Sequence, residues 1–148
     1  MEAILIAVVA VALIFDYTNG FHDAANAVAT SISTRAVPPN VALFAAAVLN
    51  LIGALASTHV AVTIASGIVE AEAVTSPVLL GGLVGAIVWN LLTWWWAIPS
   101  SSSHCLIGGV GGAVIATSGS EFVKWSGIVK KVLIPTLAAP LIGFAVGI

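Results

Sequence analysis

Charge is the scarcest commodity in this 148-residue sequence: four Lys and Arg, six Asp and Glu, together 7% of the chain. A soluble domain carries about 25%, and so few charges cannot clothe a globule of this length in water. An ordinary soluble domain is therefore excluded. The net charge of −2 also excludes a nucleic-acid binder that works by neutralising phosphates. Cys105 is the single cysteine, so neither an intrachain disulfide nor a Cys-based metal cluster can form. It reads as a small apolar residue in a packed helix. What remains is apolar: 60% of residues are hydrophobic and the mean hydropathy is +1.17. Lipid is the natural solvent of such a chain, and the bilayer its first partner.

Polar punctuation divides the apolar stretches. Ala3–Phe15 has the length of a signal-peptide core, but Met1-Glu2 supplies no positive flank and the run passes straight into Asp16, so it is expected to belong to the mature membrane domain. It falls short of the roughly 20 residues that cross a bilayer. The polar segment Asp16-Tyr17-Thr18-Asn19-Gly20-Phe21-His22-Asp23 follows, then the small-residue run Ala24–Ser33, closing at Arg35 and Pro38-Pro39. This pattern predicts a broken first helix, two half-helices meeting at a Gly-containing hinge. Val41 to about Ile68 is long enough to cross, with His59 near a span end and no role assigned; Glu70, Glu72, Ser76 and Pro77 mark a loop. Val78–Ala97 crosses back, its Trp94-Trp95-Trp96 suited to an interfacial belt. Pro99 opens a second irregular element, Ser100-Ser101-Ser102-Ser103-His104, ahead of the short glycine-rich helix Cys105–Thr117. Glu121–Lys131 reads as an interfacial amphipathic piece, and Val132–Ile148 begins a last span bent at Pro135 and Pro140. If Ser100–Thr117 dips in and returns, Arg35, Lys124, Lys130 and Lys131 share one face, as the positive-inside tendency favours. The expected fold is thus all-α and polytopic, with a broken first helix, a re-entrant helical segment, and Arg35 and the lysines on the cytoplasmic side.

Two polar interruptions in so apolar a chain demand partners, because an unsatisfied polar group in hydrocarbon costs several kcal/mol. Asp16, Asn19, His22, Asp23 and Asn26 in the first, and Ser100 to His104 in the second, are candidates for one shared site. Serine is a favoured helix N-cap, and the first turn of a helix leaves N–H groups free at the positive end of its dipole. Those donors and the hydroxyls make an anion cradle, or else a cap that merely satisfies loop backbone. Glycines 108, 109, 111 and 112 would let another helix approach closely. Asp23 and Asn26 share a helix face; a carboxylate there suits a cation or proton, or a structural bond between helices. Neither element contains Arg or Lys. An anion bound here needs a co-bound cation or proton, which points to symport.

At these residues the sequence resembles the inorganic phosphate transporter family of the PiT type. The blocks that carry the likeness are Asn19-Gly20-Phe21-His22-Asp23-Ala24-Ala25-Asn26-Ala27-Val28-Ala29-Thr30 and Asn90-Leu91-Leu92-Thr93-Trp94-Trp95-Trp96-Ala97-Ile98-Pro99-Ser100-Ser101-Ser102-Ser103-His104, in the family's order and separation. The resemblance implies alternating-access cotransport of phosphate by inverted repeats, each contributing a broken or hairpin element at the midplane. Asp23 and Asn26 fall on the signature acidic and amide positions, Ser101 and Ser103 on the hydroxyl positions of the second block. Carried over, Ser101, Ser102, Ser103 and the local N–H groups would hold phosphate, with Asp23 and Asn26 orienting it and taking the cation or proton. Asn50 and Asn90 stand at mid-span positions where relatives place polar residues, either on the coupling-ion path or as helix–helix hydrogen bonds. Sodium-coupled members have Asn before the signature Asp, whereas this chain has His22, which can carry a proton near neutral pH, though a packed and satisfied imidazole is the plainer alternative. The likeness is therefore to the bacterial low-affinity, proton-coupled branch, which takes phosphate as a metal complex; sodium coupling and another oxyanion remain the alternatives. His104 reads as structural or gating.

The family carries a second, inverted copy of both blocks. Residues 1–148 are accordingly expected to be the N-terminal repeat, unable to transport without the missing C-terminal repeat, and a homodimer is compatible with the family. No cofactor, resident metal or nucleic-acid partner is expected. An intramembrane hydrolase using serine, histidine and Asp23 is disfavoured: there is no Gly-x-Ser-x-Gly elbow and no basic group to stabilise phosphoryl transfer. A non-transporting membrane scaffold is the remaining alternative.

Overall fold

The structure, a computed structural model, describes residues 2–56 and 67–147. Helix α1 spans Glu2–Ser33 and α2 Pro39–Ala56. After a 3-10 turn at Ala71–Ala73, α3 runs Ser76–Trp95 and α4 Ser102–Thr117. A 3-10 turn at Ser120–Phe122 leads into the last helix, α5, Trp125–Val146. Four of these, α1, α2, α3 and α5, are long and apolar enough to cross a membrane. Among the described residues there is no strand, only an isolated antiparallel bridge between Val69 and Val123. The expected all-α, polytopic architecture holds. The stretch containing His59 lies outside the described residues.

Three details of the expectation are corrected, the first of them in α1. The first helix is not broken: α1 is a single helix of 32 residues, about 48 Å long at 1.5 Å per residue. Glycine inside a helix costs about 1 kcal/mol, so Gly20 weakens α1 without ending it. In hydrocarbon a hinge would expose backbone groups with no water to bond them, and continuing the helix satisfies them within the segment.

Helices α3 and α4 form an antiparallel hairpin whose packing depends on missing side chains. A Cβ on Gly82 would lie 2.8 Å from the Val110 Cα, and one on Gly109 would collide with the Gly82 carbonyl. Near the hairpin's base, Ile68, Val69, Ala73, Val78, Val114 and Val123 form a dry cluster. Glu70 N–H donates to the Phe122 carbonyl at 2.9 Å and Lys124 N–H to that of Ile68 at 2.8 Å. The tip is Trp96 to Ser101. Here α3 ends in a paired cap: Ile98 N–H donates to Thr93 C=O and Ala97 N–H to Trp94 C=O, with Ala97 at φ 53°. That left-handed position usually belongs to glycine. Arg35, φ 59°, closes α1 in the same way, through Ala36 to Ser31 and Arg35 to Ile32.

Helix α1 lies parallel to α3. Phe15 packs with Leu83, Ala86 and Cys105, and farther along His22 meets Thr93. Beyond the tip, Ala24–Ser33 adds about 15 Å of α1, and Leu137–Val146 adds about 15 Å of α5 past the contact between Thr136 and His104. The tip therefore stands part-way along two spanning helices. The re-entrant element is thus the whole α3–α4 hairpin, which enters and leaves at one end. This overturns the expected charge layout: Lys124 pairs with Glu70 at 3.1 Å and the Lys131 side chain lies against Gly67 at the base, whereas Arg35 is at the far end of α1. Because α3 stops near the level of Asp23, it never returns the chain to the Arg35 end. The last span also begins earlier than expected, at Trp125, and widens into a π-turn at Val129–Leu133. Pro135, which has no N–H to donate, stands two residues beyond it.

Candidate functional site

The two polar blocks meet at the hairpin tip. Ser102, 4% exposed at the start of α4, donates its hydroxyl to Asp23 Oδ2 at 2.7 Å. A carboxylate beside a helix N-terminus is favoured by the dipole and by the free first-turn amides. Ser101 caps α4, its hydroxyl accepting from His104 N–H at 3.4 Å. Ser103 is exposed in the first turn, and Ser100 Oγ sits 3.4 Å from Cys105 Sγ.

His22 is the hub on the other side of Asp23. It is 6% exposed, with Nε2 3.3 Å from Thr93 Oγ1 and Nδ1 3.6 Å from Asp23 Oδ1. The Thr93 hydroxyl has one proton and also reaches the carbonyls of Trp89, 2.9 Å, and Asn90, 3.1 Å. When it donates to either of these it accepts from His22 Nε2–H, and in that tautomer Nδ1 faces the Asp23 carboxylate as a lone pair. At 3.6 Å the two are too far apart for a hydrogen bond. Edge-to-face rings brace this corner: Phe21 against Trp94 at 5.5 Å and Tyr17 against Phe21 at 5.8 Å.

The expected residues divide accordingly. The fold brings together Asp23, His22 and Ser102, with Ser101 and Ser103 on the adjoining turn. Asn26 stands on α1 one turn past Asp23 and is exposed. Asn90 is buried on α3, 1% exposed, with both amide atoms unpartnered. Asn50 lies apart, exposed on α2, its amide donating to the Ala46 carbonyl of its own helix at 2.8 Å. His104 Nε2 meets Thr136 Oγ1 at 3.2 Å, which ties the tip to α5. Sequence reasoning gave Thr93 no role although it lies in the second block; its position three residues after Asn90, on the same helix face, was the available signal.

A multi-pass helical chain whose buried polar groups converge on a hairpin tip has the build of a membrane transporter. The chain belongs to the phosphate transporter family, whose model matches residues 19–148. It is 57% identical over 144 residues to a probable low-affinity inorganic phosphate transporter of Mycobacterium leprae, covering 97% of this chain and 35% of that protein. A Streptomyces halstedii protein of the same description is 55% identical over 146 residues, with 97% and 68% covered. PitB of Escherichia coli, a low-affinity inorganic phosphate transporter, is 33% identical over 158 residues. The solved structure of a sodium-dependent phosphate transporter superposes with a TM-score of 0.84 at 30% identity, over 97% of this chain and 36% of that one. The chain thus spans about a third of the length of the mycobacterial relative.

Proposed function

We propose that this chain is the N-terminal repeat of a symporter that carries inorganic phosphate across the membrane with a proton, and that the hairpin tip is its half of the substrate site. The observation that carries the reading is the buried imidazole of His22, whose Nδ1 faces Asp23 Oδ1 at 3.6 Å. One proton added to a neutral imidazole there makes an imidazolium–carboxylate pair and cancels the net charge of the two.

That charge matters because Asp23 already occupies the anion cradle through Ser102. A phosphate at the same helix N-terminus would meet a second negative charge, which at about 4 Å and an effective dielectric constant of 20 costs roughly 4 kcal/mol. Protonating the His22–Asp23 pair removes most of that repulsion. Proton and phosphate then favour each other's binding, which is the thermodynamic requirement of symport. In this reading the Ser101 and Ser103 hydroxyls and the first-turn amides of α4 donate to the oxyanion, and Asn26 extends the donor set from α1. The family's inverted repeats would supply the opposing half of the site.

Sodium coupling is the second reading, favoured by the structural likeness to a sodium-dependent phosphate transporter. Uptake of radiolabelled phosphate by the full-length transporter in proteoliposomes, with pH and sodium gradients imposed separately, tells the two apart. Uptake that follows the pH gradient without sodium is expected; uptake that follows sodium and ignores pH would overturn proton coupling. Repeating the assay with and without Mg²⁺ tests whether phosphate travels as a metal complex.

A further inference from the structure

Asn90 holds the most isolated polar group described in the molecule. Its side chain is 1% exposed, and both Nδ2 and Oδ1 are buried without a hydrogen-bond partner. Asn19 Oδ1 and His22 Nδ1 share that condition. The three residues belong to one interface. His22 and Thr93 are 71 positions apart in sequence and in contact; the same interval separates Asn19 from Asn90, and α1 and α3 run parallel, so the two amides face each other one turn nearer the base. Leaving such groups unpaired costs about 1–3 kcal/mol each, so something small and polar fits between them.

The chemistry of the groups selects the occupant. A bare alkali cation wants oxygen acceptors only, and the Asn90 Nδ2 donor beside it would repel it. Water donates to the Asn19 amide oxygen, accepts from Asn90 Nδ2, and can turn its second O–H towards a lone pair on a histidine nitrogen. We infer that Asn19 and Asn90 hold a buried water that passes protons to His22 Nδ1; the role rests on the proton-coupled reading above. A proton arriving on the water oxygen forms one O–H bond, while a second O–H breaks as its proton moves to the Nδ1 lone pair. Water is regenerated and His22 becomes imidazolium beside Asp23. The other titratable groups on the elements packed here are Asp16, Tyr17 and Asp23 on α1 and His104 and Cys105 on α4, the last in the Phe15 cluster; α3 brings none. Asn19 and Asn90 are positioning residues in this scheme and touch no phosphate.

The test uses the full-length transporter in proteoliposomes and compares Asn90→Leu, Asn19→Leu and Asn90→Ser, the last keeping a donor and acceptor with room for a second water. Two quantities are read: pH-gradient-driven phosphate uptake in H₂O and D₂O, and equilibrium phosphate binding at fixed pH. Both leucine variants are expected to slow uptake roughly tenfold and to change the solvent isotope effect, with phosphate binding unchanged and the serine variant close to the parent. Parental rates in the leucine variants would overturn the relay, as would equal losses of rate and binding in all three. If Asn90→Leu fails to fold, Asn19→Leu and Asn90→Ser decide. A parent that responds to sodium alone would refute the coupling reading itself, a result distinct from failure of the relay.

Discussion

The base and the tip of the α3–α4 hairpin are built on opposite terms. At the base, valines and isoleucine pack dry, backbone bonds close the turn, and the ion pair of Glu70 with Lys124 is part-exposed. Among the described residues no buried polar side chain at the base is left without a partner. At the tip a half-exposed carboxylate meets a buried imidazole and a buried hydroxyl, and three residues keep unpaired atoms. A chain in lipid tolerates such cost where function needs it. Folding stability is therefore expected to reside in the close α3–α4 contact and the base, and transport in the tip, which gives the contrast a sharp experimental form.

The largest effect falls on the helix contact that both ends share. Gly109→Leu drives a side chain into the Gly82 carbonyl, and overpacking of this kind costs about 3 kcal/mol. The full-length protein should melt earlier in detergent, with reduced folded yield; an unchanged melting temperature would mean that the hairpin separates easily. Next, Asp23→Asn removes the negative charge and the proton site while an amide oxygen remains to accept from Ser102. Proton-driven uptake should fall at least about tenfold while thermal stability is kept. A variant that melts but still transports would break the division between the two regions. Ser102→Ala removes the hydrogen bond to Asp23 and leaves His22 and Asp23 in place. About 1 kcal/mol should appear as a several-fold rise in the phosphate concentration for half-maximal uptake. Glu70→Gln is expected to do least: an exposed pair contributes about 0–1 kcal/mol, so a small, salt-sensitive drop in melting temperature should accompany normal uptake.

Legibility differed between these regions as well. The helix ends near Arg35 and Ala97 were readable to within two residues, yet both close on left-handed non-glycine residues, which no turn signature announces. Gly20 in a polar stretch suggested a hinge because in water it would favour one; the bilayer reverses that preference. The serine run advertised an N-cap and Ser101 is one, but which serine reaches Asp23 depends on the rotation of α4 against α1. Asn50 and Asn90 looked equivalent as lone amides in apolar helices. Only packing separates them: one is exposed and bonds its own helix, the other is buried and unpaired.

By itself the sequence determined the solvent, the helical class and the two polar blocks, since apolar content and local spacing act within a few residues of chain. The unbroken α1, the hairpin that returns the lysines to the Glu70 end, and the meeting of His22 with Thr93 and of Asp23 with Ser102 were decided by tertiary structure. Those contacts join positions 71 and 79 apart, and their register is set by how glycine-faced helices slide together, a quantity no local pattern encodes.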